Sequence, residues 1–405
     1  MKLFKTKDFM NNGIHTKRYY FCGVRYLKKI WIGLCTETFL FWFKISGLKK
    51  SVKTNTGGIT IVEIGGNTGE GKLGRTIIET LKTSNIIFDN CLLSDLYKNY
   101  IPKYKTQLVL TTANFVKNKS YNIMPLILWE FESGMIQARP YAFDDISGIV
   151  TFSTFCANYF HEIAPKNLPI YTLPYPVYVD LSRLDSVKSV REKYKIKTKD
   201  FVFFFNFSYS SSYFRKNPEG TLNAFIKAFP KHEKNIKLVI KTTGSSFAPD
   251  KVKRLYDKIQ ELNLTDNVVV IDADLTDYET YSLINCCDVY VSLHRGEGLG
   301  LGMMEAMYIG KPVIATNYGG NTDFTKEDTA LLVDYKMVKP KEIDLDAYKY
   351  VEKWPEPNIE TAAHHMLNLY KNAKLRKSVG DSGQTFIKAH FNKQNFNNAI
   401  KELLS

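Results

Sequence analysis

The amino-acid sequence predicts an α/β protein whose body consists of two domains, each built on a parallel sheet. Runs rich in valine, isoleucine and phenylalanine alternate with helix-length segments, and this alternation is typical of parallel strands joined by helices. It occurs twice, in residues 56–180 and in residues 181–385. A length of 405 residues is also long for a single core, so two domains are expected.

Residues 1–55 precede these domains as a basic, aromatic extension. Residues 1–50 contain eleven lysines and arginines against two acidic residues, out of a net charge of +14 for the chain. Residues 26–48 have the spacing of an amphipathic helix. Two interpretations remain open: a helix at the membrane surface, with residues 17–50 contacting anionic lipid, and a helix packed on the protein body. No stretch approaches the roughly 20 apolar residues of a membrane span, and no secretory signal is expected.

The first domain is predicted to begin with a buried strand at residues 59–64. Helix-length segments separate the further strands that we expect, at residues 108–110, 126–129, 148–152 and 170–173. The sequence Pro-Tyr-Pro then interrupts the alternation at residues 174–176, and the charged residues that follow are the expected connection between domains.

The second domain repeats the alternation. A strand at residues 201–205 and a helix at residues 218–229 start it. More strands are predicted at residues 238–240, 268–271, 289–292, 313–315 and 330–333. The last segment, residues 386–405, is predicted to be helical.

Charge and cysteine usage exclude some classes of function. Most of the positive charge lies in the first 50 residues, so a basic face for nucleic acid is not expected. The six cysteines show neither metal-ligand nor CxxC spacing, which favours buried thiols in a reducing cytoplasm.

The most informative residues are Glu297 and Glu305, which a glycine-rich turn separates. A strand-like run precedes the turn and a helix-type run follows it. Glycines allow backbone N–H groups to approach a ligand at the helix N-terminus, where the helix dipole favours an anion. The two carboxylates flank this anion site and can accept hydrogen bonds from hydroxyls. The predicted ligand is therefore a sugar joined through phosphates to a ribose.

These residues resemble the retaining family-four glycosyltransferases of the GT-B fold, whose signature is two glutamates separated by seven residues. The resemblance includes residues 292–301, 310–317, 320–324, 332–335 and 354–357. It is similar to a subgroup that acts on bacterial surface polysaccharides and includes many mannosyltransferases. The resemblance implies two Rossmann-like domains that face each other across a cleft, and a C-terminal segment that crosses back onto the first domain.

The same resemblance implies a function. The expected reaction moves a hexose, with mannose as one candidate, from a UDP-sugar or GDP-sugar to a glycan or lipid-linked acceptor, with retention at the anomeric carbon. Neither a cofactor nor a metal ion is implied. The implied setting is the synthesis of surface polysaccharide or lipopolysaccharide in the cytoplasm, including the inner face of the bacterial membrane.

The resemblance also assigns roles to residues of the second domain. Arg215 and Lys216 would grip the donor phosphates, the first as a fork of two hydrogen bonds and the second as a point charge; a solvated cap of a helix is the alternative. Glu297 would hold the sugar, and Glu305 would accept hydrogen bonds from the ribose hydroxyls. The backbone amides of one turn would face the diphosphate: Gly298, Leu299, Gly300 and Leu301.

Two segments of the first domain are expected to face the same cleft. Gly66 and Asn67 lie in a glycine-rich loop through which backbone would approach the donor diphosphate. Glu130 follows Trp129 at the end of a predicted strand, and the subgroup shares this Trp-Glu element. Glu130 is expected to orient the acceptor or the donor sugar, and a structural loop carboxylate remains an open alternative. One departure from the family is Asn206, where an aspartate is frequent.

Other motifs keep alternatives open. Residues 69–74 fit the GxGxxG pattern, and residues 66–72 nearly fit a P-loop, although Leu73 stands where a hydroxyl must reach magnesium. Two DxD triplets, residues 272–274 and 344–346, are typical of metal-dependent transferases. The alternative functions are therefore a DxD transferase, a P-loop hydrolase, and a nucleotide-sugar-binding assembly protein without activity.

Four polar residues near the glutamate pair are weaker candidates. We expect His294 to be a packed polar residue rather than a general base, and Arg295 to balance nearby carboxylates. Asn321 and Asp323 lie in a turn after a predicted strand and are candidates for lining the site.

Overall fold

The computed structural model describes residues 4–11, 14–21, 24–31, 55–63, 69–96, 102–110, 122–138, 143 and 145–405. The chain divides into two units, Met1–Lys53 and Thr54–Ser405. None of the helices in the described ranges combines the length and the apolar character that crossing a bilayer requires.

The first unit contains a three-stranded antiparallel sheet. Its strands are β1 (Phe4–Asn11), β2 (Ile14–Phe21) and β3 (Val24–Trp31). The helix predicted over residues 26–48 is therefore wrong at its start, and residues 32–48 lie outside the described part of the chain. Aromatic residues were expected to form the apolar side of that helix, but they favour strands equally well. The predicted membrane contact through residues 17–50 stays a prediction.

The second unit begins with the first α/β domain, which the structure confirms as a parallel-sheet domain. Its elements are β4 (Asn55–Glu63), α1 (Gly69–Lys82), β5 (Phe88–Leu92), α2 (Leu93–Leu96), β6 (Tyr104–Val109), β7 (Asn122–Pro125), α3 (Met135–Ala138), β8 (Ile149–Thr151), α4 (Thr154–Ile163) and β9 (Ile170–Thr172). The strand order is β5-β4-β6-β7, and one bridge from Leu126 to Val150 joins this sheet to the parallel pair β8–β9.

The strand predicted at residues 126–129 is displaced. The corresponding strand, β7, ends at Pro125, so residues 127–131 follow its carboxyl end instead of lying within it. This shift matters for function, because the carboxyl ends of parallel strands are where open α/β sheets bind ligands.

The second α/β domain follows after α5 (Val187–Lys193). It contains β10 (Phe201–Ser208), α6 (Tyr213–Lys216), α7 (Pro218–Ala228), β11 (Ile236–Thr243), α8 (Pro249–Glu261), β12 (Val268–Asp272), α9 (Asp277–Cys286), β13 (Val289–Ser292), α10 (Leu301–Ile309), β14 (Val313–Thr316), β15 (Leu331–Val333), β16 (Tyr335–Val338), β17 (Trp354–Pro357), α11 (Ile359–Lys371), α12 (Ala373–His390) and α13 (Lys393–Leu404). Six parallel strands form its sheet in the order β12-β11-β10-β13-β14-β15, and β16 pairs with β17 as an antiparallel hairpin.

Strand β10 shows why this sheet is buried on both faces. Phe203 and Phe205 pack into one apolar cluster, whereas Val202 and Phe204 pack into the other. A strand with two apolar faces is typical of a parallel sheet covered by helices on both sides. Polar residues appear only near the carboxyl end of the strand, at Asn206 and Ser208, and the candidate site lies at this edge of the sheet.

The C-terminal helix α13 packs into the core of the first domain, although it lies at the end of the chain. It contacts α1 and β4. Phe396 and Ile400 are completely buried, in the same cluster as Ile59 and Ile77 of the first domain. The C-terminal helix thus packs against the elements at the start of the first α/β domain.

Candidate active site

Arg215 and Lys216 lie in a short helical turn whose two ends are fixed. At the start, Ser212 has a φ of 73° and its hydroxyl both caps the amide of Arg215 and donates to Asp344, 2.5 Å away. At the end, Asn217 has a left-handed φ of 57°, and its side-chain amide donates to the carbonyl of Leu293 at 2.8 Å. The turn is thus tied to the loop that follows β13.

Asp344 has a different role from the one that its DxD triplet suggested. Its second carboxylate oxygen accepts a hydrogen bond from the amide of Tyr213 at 2.6 Å. The other DxD triplet is also engaged locally, since Asp272 accepts a hydrogen bond from Thr242 and Asp274 accepts one from Thr243. Within the described residues, no group of three or more His, Cys, Asp or Glu side chains is placed to hold a metal ion.

The Arg215 guanidinium is almost completely buried, with 2% of its surface exposed. It donates to the carbonyl of Gly296 at 2.8 Å and to the carbonyl and hydroxyl of Ser211 at 2.9 and 2.7 Å. Carboxylate oxygens of Glu297 and Glu130 lie 3.7 Å from its two terminal nitrogens. Arg215 therefore holds the loop around Glu297 in place while its charge acts on both carboxylates.

Lys216 forms a close ion pair with Glu297. Its ammonium lies 2.5 Å from Oε2 of Glu297, and the two side chains are 18% and 15% exposed. Burial alone would raise the pKa of Glu297, but Lys216 and Arg215 together lower it to about 2. Burial lowers the pKa of Lys216, and the attraction of Glu297 opposes this effect. The Glu297 carboxylate is consequently buried and faces two cations, Lys216 and Arg215.

The glycines beside Glu297 are required by packing against the first domain. A Cβ on Gly296 would lie 2.6 Å from the ring of Phe131 and 2.8 Å from the carbonyl oxygen of Glu130. The hydroxyl of Ser153, which caps helix α4, donates to the carbonyl of Gly298 at 2.8 Å. A Cβ on Gly298 would also lie 3.1 Å from the Cβ of Leu128, so packing adds a second reason for both glycines, which the sequence explained only by close approach to a ligand.

Helix α10 begins immediately after this loop. Gly300 is its N-cap in a left-handed conformation, with a φ of 99°, and it supplies no side chain to the first amides of the helix. Leu299 is buried in the apolar core and Leu301 packs partly against it, so neither side chain is available to a ligand as a polar group. The helix start retains the properties of an anion site.

Glu305 lies one turn into α10, and 3% of its surface is exposed. Its Oε1 atom is 2.5 Å from the ammonium of Lys72, which belongs to α1 of the first domain. Sequence reasoning considered Lys72 only within a P-loop pattern and missed this pair. No sequence signal joins the two positions, because their proximity results from the packing of α1 against the second domain.

Of the first-domain candidates, Glu130 joins the site and the others cannot be placed. Glu130 follows the buried Trp129 and lies beside Arg215, as described above. The indole of Trp129 donates to the carbonyl of Ser133 at 3.0 Å, which helps to fix the segment that carries Glu130. Gly66 and Asn67 lie outside the described residues.

The weaker candidates all make contacts within the protein, and the expectation that Asn321 and Asp323 line the site stays a prediction. His294 is fully buried, its imidazole is 2.9 Å from the carbonyl of Tyr318, and burial lowers its pKa. Arg295 forms two 2.7 Å hydrogen bonds with the carboxylate of Glu356. Asn321 donates to the carbonyl of Thr316, and Asp323 accepts from the amide of Thr154.

Residues 187–386, which form most of the second domain, match the family model "Glycosyl transferases group 1". The second domain belongs to this family. Among curated relatives, the uncharacterized glycosyltransferase MJ1069 of Methanocaldococcus jannaschii is 23% identical over 253 residues, which are 60% of this chain and 54% of the relative. The alpha-1,3/1,6-mannosyltransferase ALG2 of Dictyostelium discoideum is 33% identical over 78 residues, 19% of this chain and 18% of that protein. The chain thus spans about half or less of these relatives.

Solved structures show the fold beyond the group 1 domain. Anabaena Alr3699/HepE, determined in complex with UDP and glucose, has a TM-score of 0.62 at 14% identity and covers 86% of this chain and 99% of its own. Sucrose-phosphate synthase from Thermosynechococcus elongatus has a TM-score of 0.64 at 15% identity, and the match covers 85% of this chain and 98% of the synthase chain. These likenesses show the GT-B fold, with two Rossmann-like domains, as the sequence predicted.

Proposed function

We propose that this protein is a retaining hexosyltransferase that uses a nucleoside diphosphate sugar as donor. The observation that carries the proposal is the cluster of Arg215, Lys216 and Glu297 in the loop before α10, together with the buried Glu305 one turn into that helix. The relative Alr3699/HepE, whose structure contains UDP and glucose, supports a nucleotide sugar as the ligand class. The mannosyltransferase ALG2 supports a hexose donor, with mannose as one candidate. The acceptor in this proposal is a glycan or a lipid-linked molecule of surface-polysaccharide synthesis.

The chemical requirement of this reaction is stabilisation of the leaving diphosphate while the sugar acquires positive charge. Cations and helix amides that are already in place supply such stabilisation without rearranging solvent. Lys216 and the start of α10 carry this role, and Arg215 keeps the Glu297 loop in position. Glu297 holds the sugar hydroxyls beside the developing positive charge. Glu305 accepts hydrogen bonds from the ribose.

The acceptor attacks from the face on which the diphosphate leaves. The departing phosphate takes the acceptor proton in this mechanism, so no strong side-chain base is needed. The low pKa of Glu297 fits a group that stays ionised and stabilises charge instead of exchanging protons. His294, with its lowered pKa and complete burial, is also unsuited to accept this proton.

Two measurements test the proposal. Thermal-shift screening against UDP, GDP and their sugars should show one stabilising nucleotide class, because a ligand that binds only the folded state raises its stability. Slow hydrolysis of that donor without acceptor should then be detectable. Binding without hydrolysis or transfer to any glycan would favour a non-catalytic nucleotide-sugar-binding protein, and turnover of ATP would favour a P-loop hydrolase.

Single substitutions test the assigned residues. Lys216→Ala and Glu305→Ala should each lower transfer by about 10²-fold or more, which is the scale of losing one preorganised contact. Lys258→Ala is the control, because Lys258 is similarly buried, at 19% exposed, but pairs with Glu261 on α8. Transfer at the wild-type rate by either folded site variant would refute the role of that residue.

A further inference from the structure

Helix α1 brings a first-domain cation directly onto the second domain. The ammonium of Lys72 lies 2.5 Å from Oε1 of Glu305 and 3.5 Å from Oδ1 of Asp277, and it is also 4.4 Å from the ring centre of Tyr281. The Lys72 side chain is 13% exposed and that of Glu305 is 5% exposed. An ion pair this buried needs both partners, because removing one leaves the other as an uncompensated charge.

The charged and titratable groups around Glu305 make Lys72 its counter-ion. Burial raises the pKa of Glu305, and Asp277 of α9 raises it further, whereas Lys72 opposes both. Three tyrosines also face this region, Tyr281 from α9, Tyr290 from β13 and Tyr175 from the connection between the domains. Tyrosine hydroxyls are neutral at physiological pH, and burial raises the pKa values of these three further.

The contact with Lys72 engages one of the two Glu305 carboxylate oxygens. Lys72 occupies Oε1, and no side chain or backbone group among the described residues donates a hydrogen bond to Oε2. A carboxylate oxygen accepts more than one hydrogen bond, so the pair of hydroxyls on a ribose can be bound while Lys72 stays in place.

We propose that Lys72 is a positioning residue of the donor site: from the first domain, it holds the Glu305 carboxylate charged and oriented to accept hydrogen bonds from the ribose hydroxyls. This inference rests on the proposed function, since it takes Glu305 as the ribose acceptor. It extends that function by making ribose recognition depend on the packing of α1 against the second domain.

The test compares a nucleotide with its counterpart that lacks both hydroxyls. Calorimetric titration would give the Kd of UDP and GDP and of their 2′,3′-dideoxy forms for the full-length protein. For the base that binds, the wild type should prefer the ribonucleotide by about 10- to 100-fold, as expected when hydrogen bonds to a charged group are lost. Lys72→Met should reduce this preference to about threefold or less near neutral pH, while Lys72→Arg should retain it.

The pH profile separates positioning from general support of the fold. Without Lys72 the pKa of Glu305 rises further, so in Lys72→Met the preference for the ribonucleotide should return as the pH is raised and the carboxylate ionises. Phosphate titration affects both nucleotides alike and cancels in the ratio. Arg75→Ala is the matched control, because it removes the neighbouring contact between domains, 3.3 Å from Asp277, without touching Glu305.

Each outcome decides a different point. If Lys72→Met weakens the ribonucleotide and the dideoxynucleotide equally, Lys72 supports the fold or the phosphates and the inference is overturned. The same conclusion follows if Arg75→Ala abolishes the preference as completely as Lys72→Met does. Failure of the wild type to bind UDP and GDP would instead overturn the proposed function, and the inference with it.

Discussion

Glu297→Gln is the substitution for which the structure gives the clearest magnitude. Glutamine keeps the shape of the side chain but removes the charge that Lys216 and Arg215 face. These cations hold the pKa of Glu297 at about 2, against about 4.3 for an ordinary glutamate. The difference corresponds to about 3 kcal/mol of folding stability, because each tenfold change in a proton equilibrium is worth about 1.36 kcal/mol.

The sign of the pH dependence follows from the lowered pKa. The contribution of Glu297 is complete above the pKa of the unfolded chain and is lost as the pH falls towards about 2. At pH 7 the free energy of unfolding of Glu297→Gln should therefore be about 3 kcal/mol below that of the wild type, and at pH 3.5 the gap should narrow to about 2 kcal/mol.

Urea denaturation of both proteins at the two pH values measures this gap. Glu356→Gln serves as the control, because Glu356 pairs with Arg295 in the same region but its side chain is 38% exposed. Such an exposed pair contributes about 1 kcal/mol or less. A gap that is equal at pH 7 and pH 3.5, or a larger loss from the control, would refute the view that Glu297 is a buried counter-ion.

Two further predictions concern packing and metal dependence. Gly296→Ala should lower the free energy of unfolding by about 1–3 kcal/mol, the range for overpacking, because the new Cβ would lie 2.6 Å from the Phe131 ring. Thermal melts of the variant and the wild type measure this loss of stability, and an unchanged Tm would contradict the contact. Transfer should persist in excess EDTA, as the resemblance implies; a complete loss that added metal reverses would favour the DxD alternative at Asp272 and Asp274.

Local motifs made part of the site predictable. Glu297 and Glu305 lie in one strand-turn-helix unit, so their separation in the sequence predicts their separation in the fold. The basic pair at Arg215 and Lys216 was also recognisable from the sequence. The different contacts that the two side chains make were not. The sequence suggested that both residues bind phosphate, and this stays a prediction. The structure adds that the buried Arg215 donates to Gly296 and Ser211 and thereby supports the loop.

The remainder depends on contacts between distant segments, which single motifs do not encode. Lys72 reaches Glu305 only because α1 packs against the second domain. Asp344 fits a metal pattern in sequence, but the fold directs it to Ser212 and Tyr213. At residues 26–31 the error had another origin, since aromatic and basic residues satisfy the pattern of an amphipathic helix and that of a strand.

The first domain contacts both carboxylate-bearing segments of the proposed donor site, although the Glu297 carboxylate itself is paired with Lys216 and Arg215 of the second domain. The loop of Glu297 packs on Phe131 and is bonded to Ser153 through Gly298, while Glu305 is paired with Lys72. A change in the contact between the domains would therefore displace the sugar end and the ribose end of the site together. Substitutions at this contact should alter donor binding without touching the donor, because the groups that bind it are oriented from across the cleft.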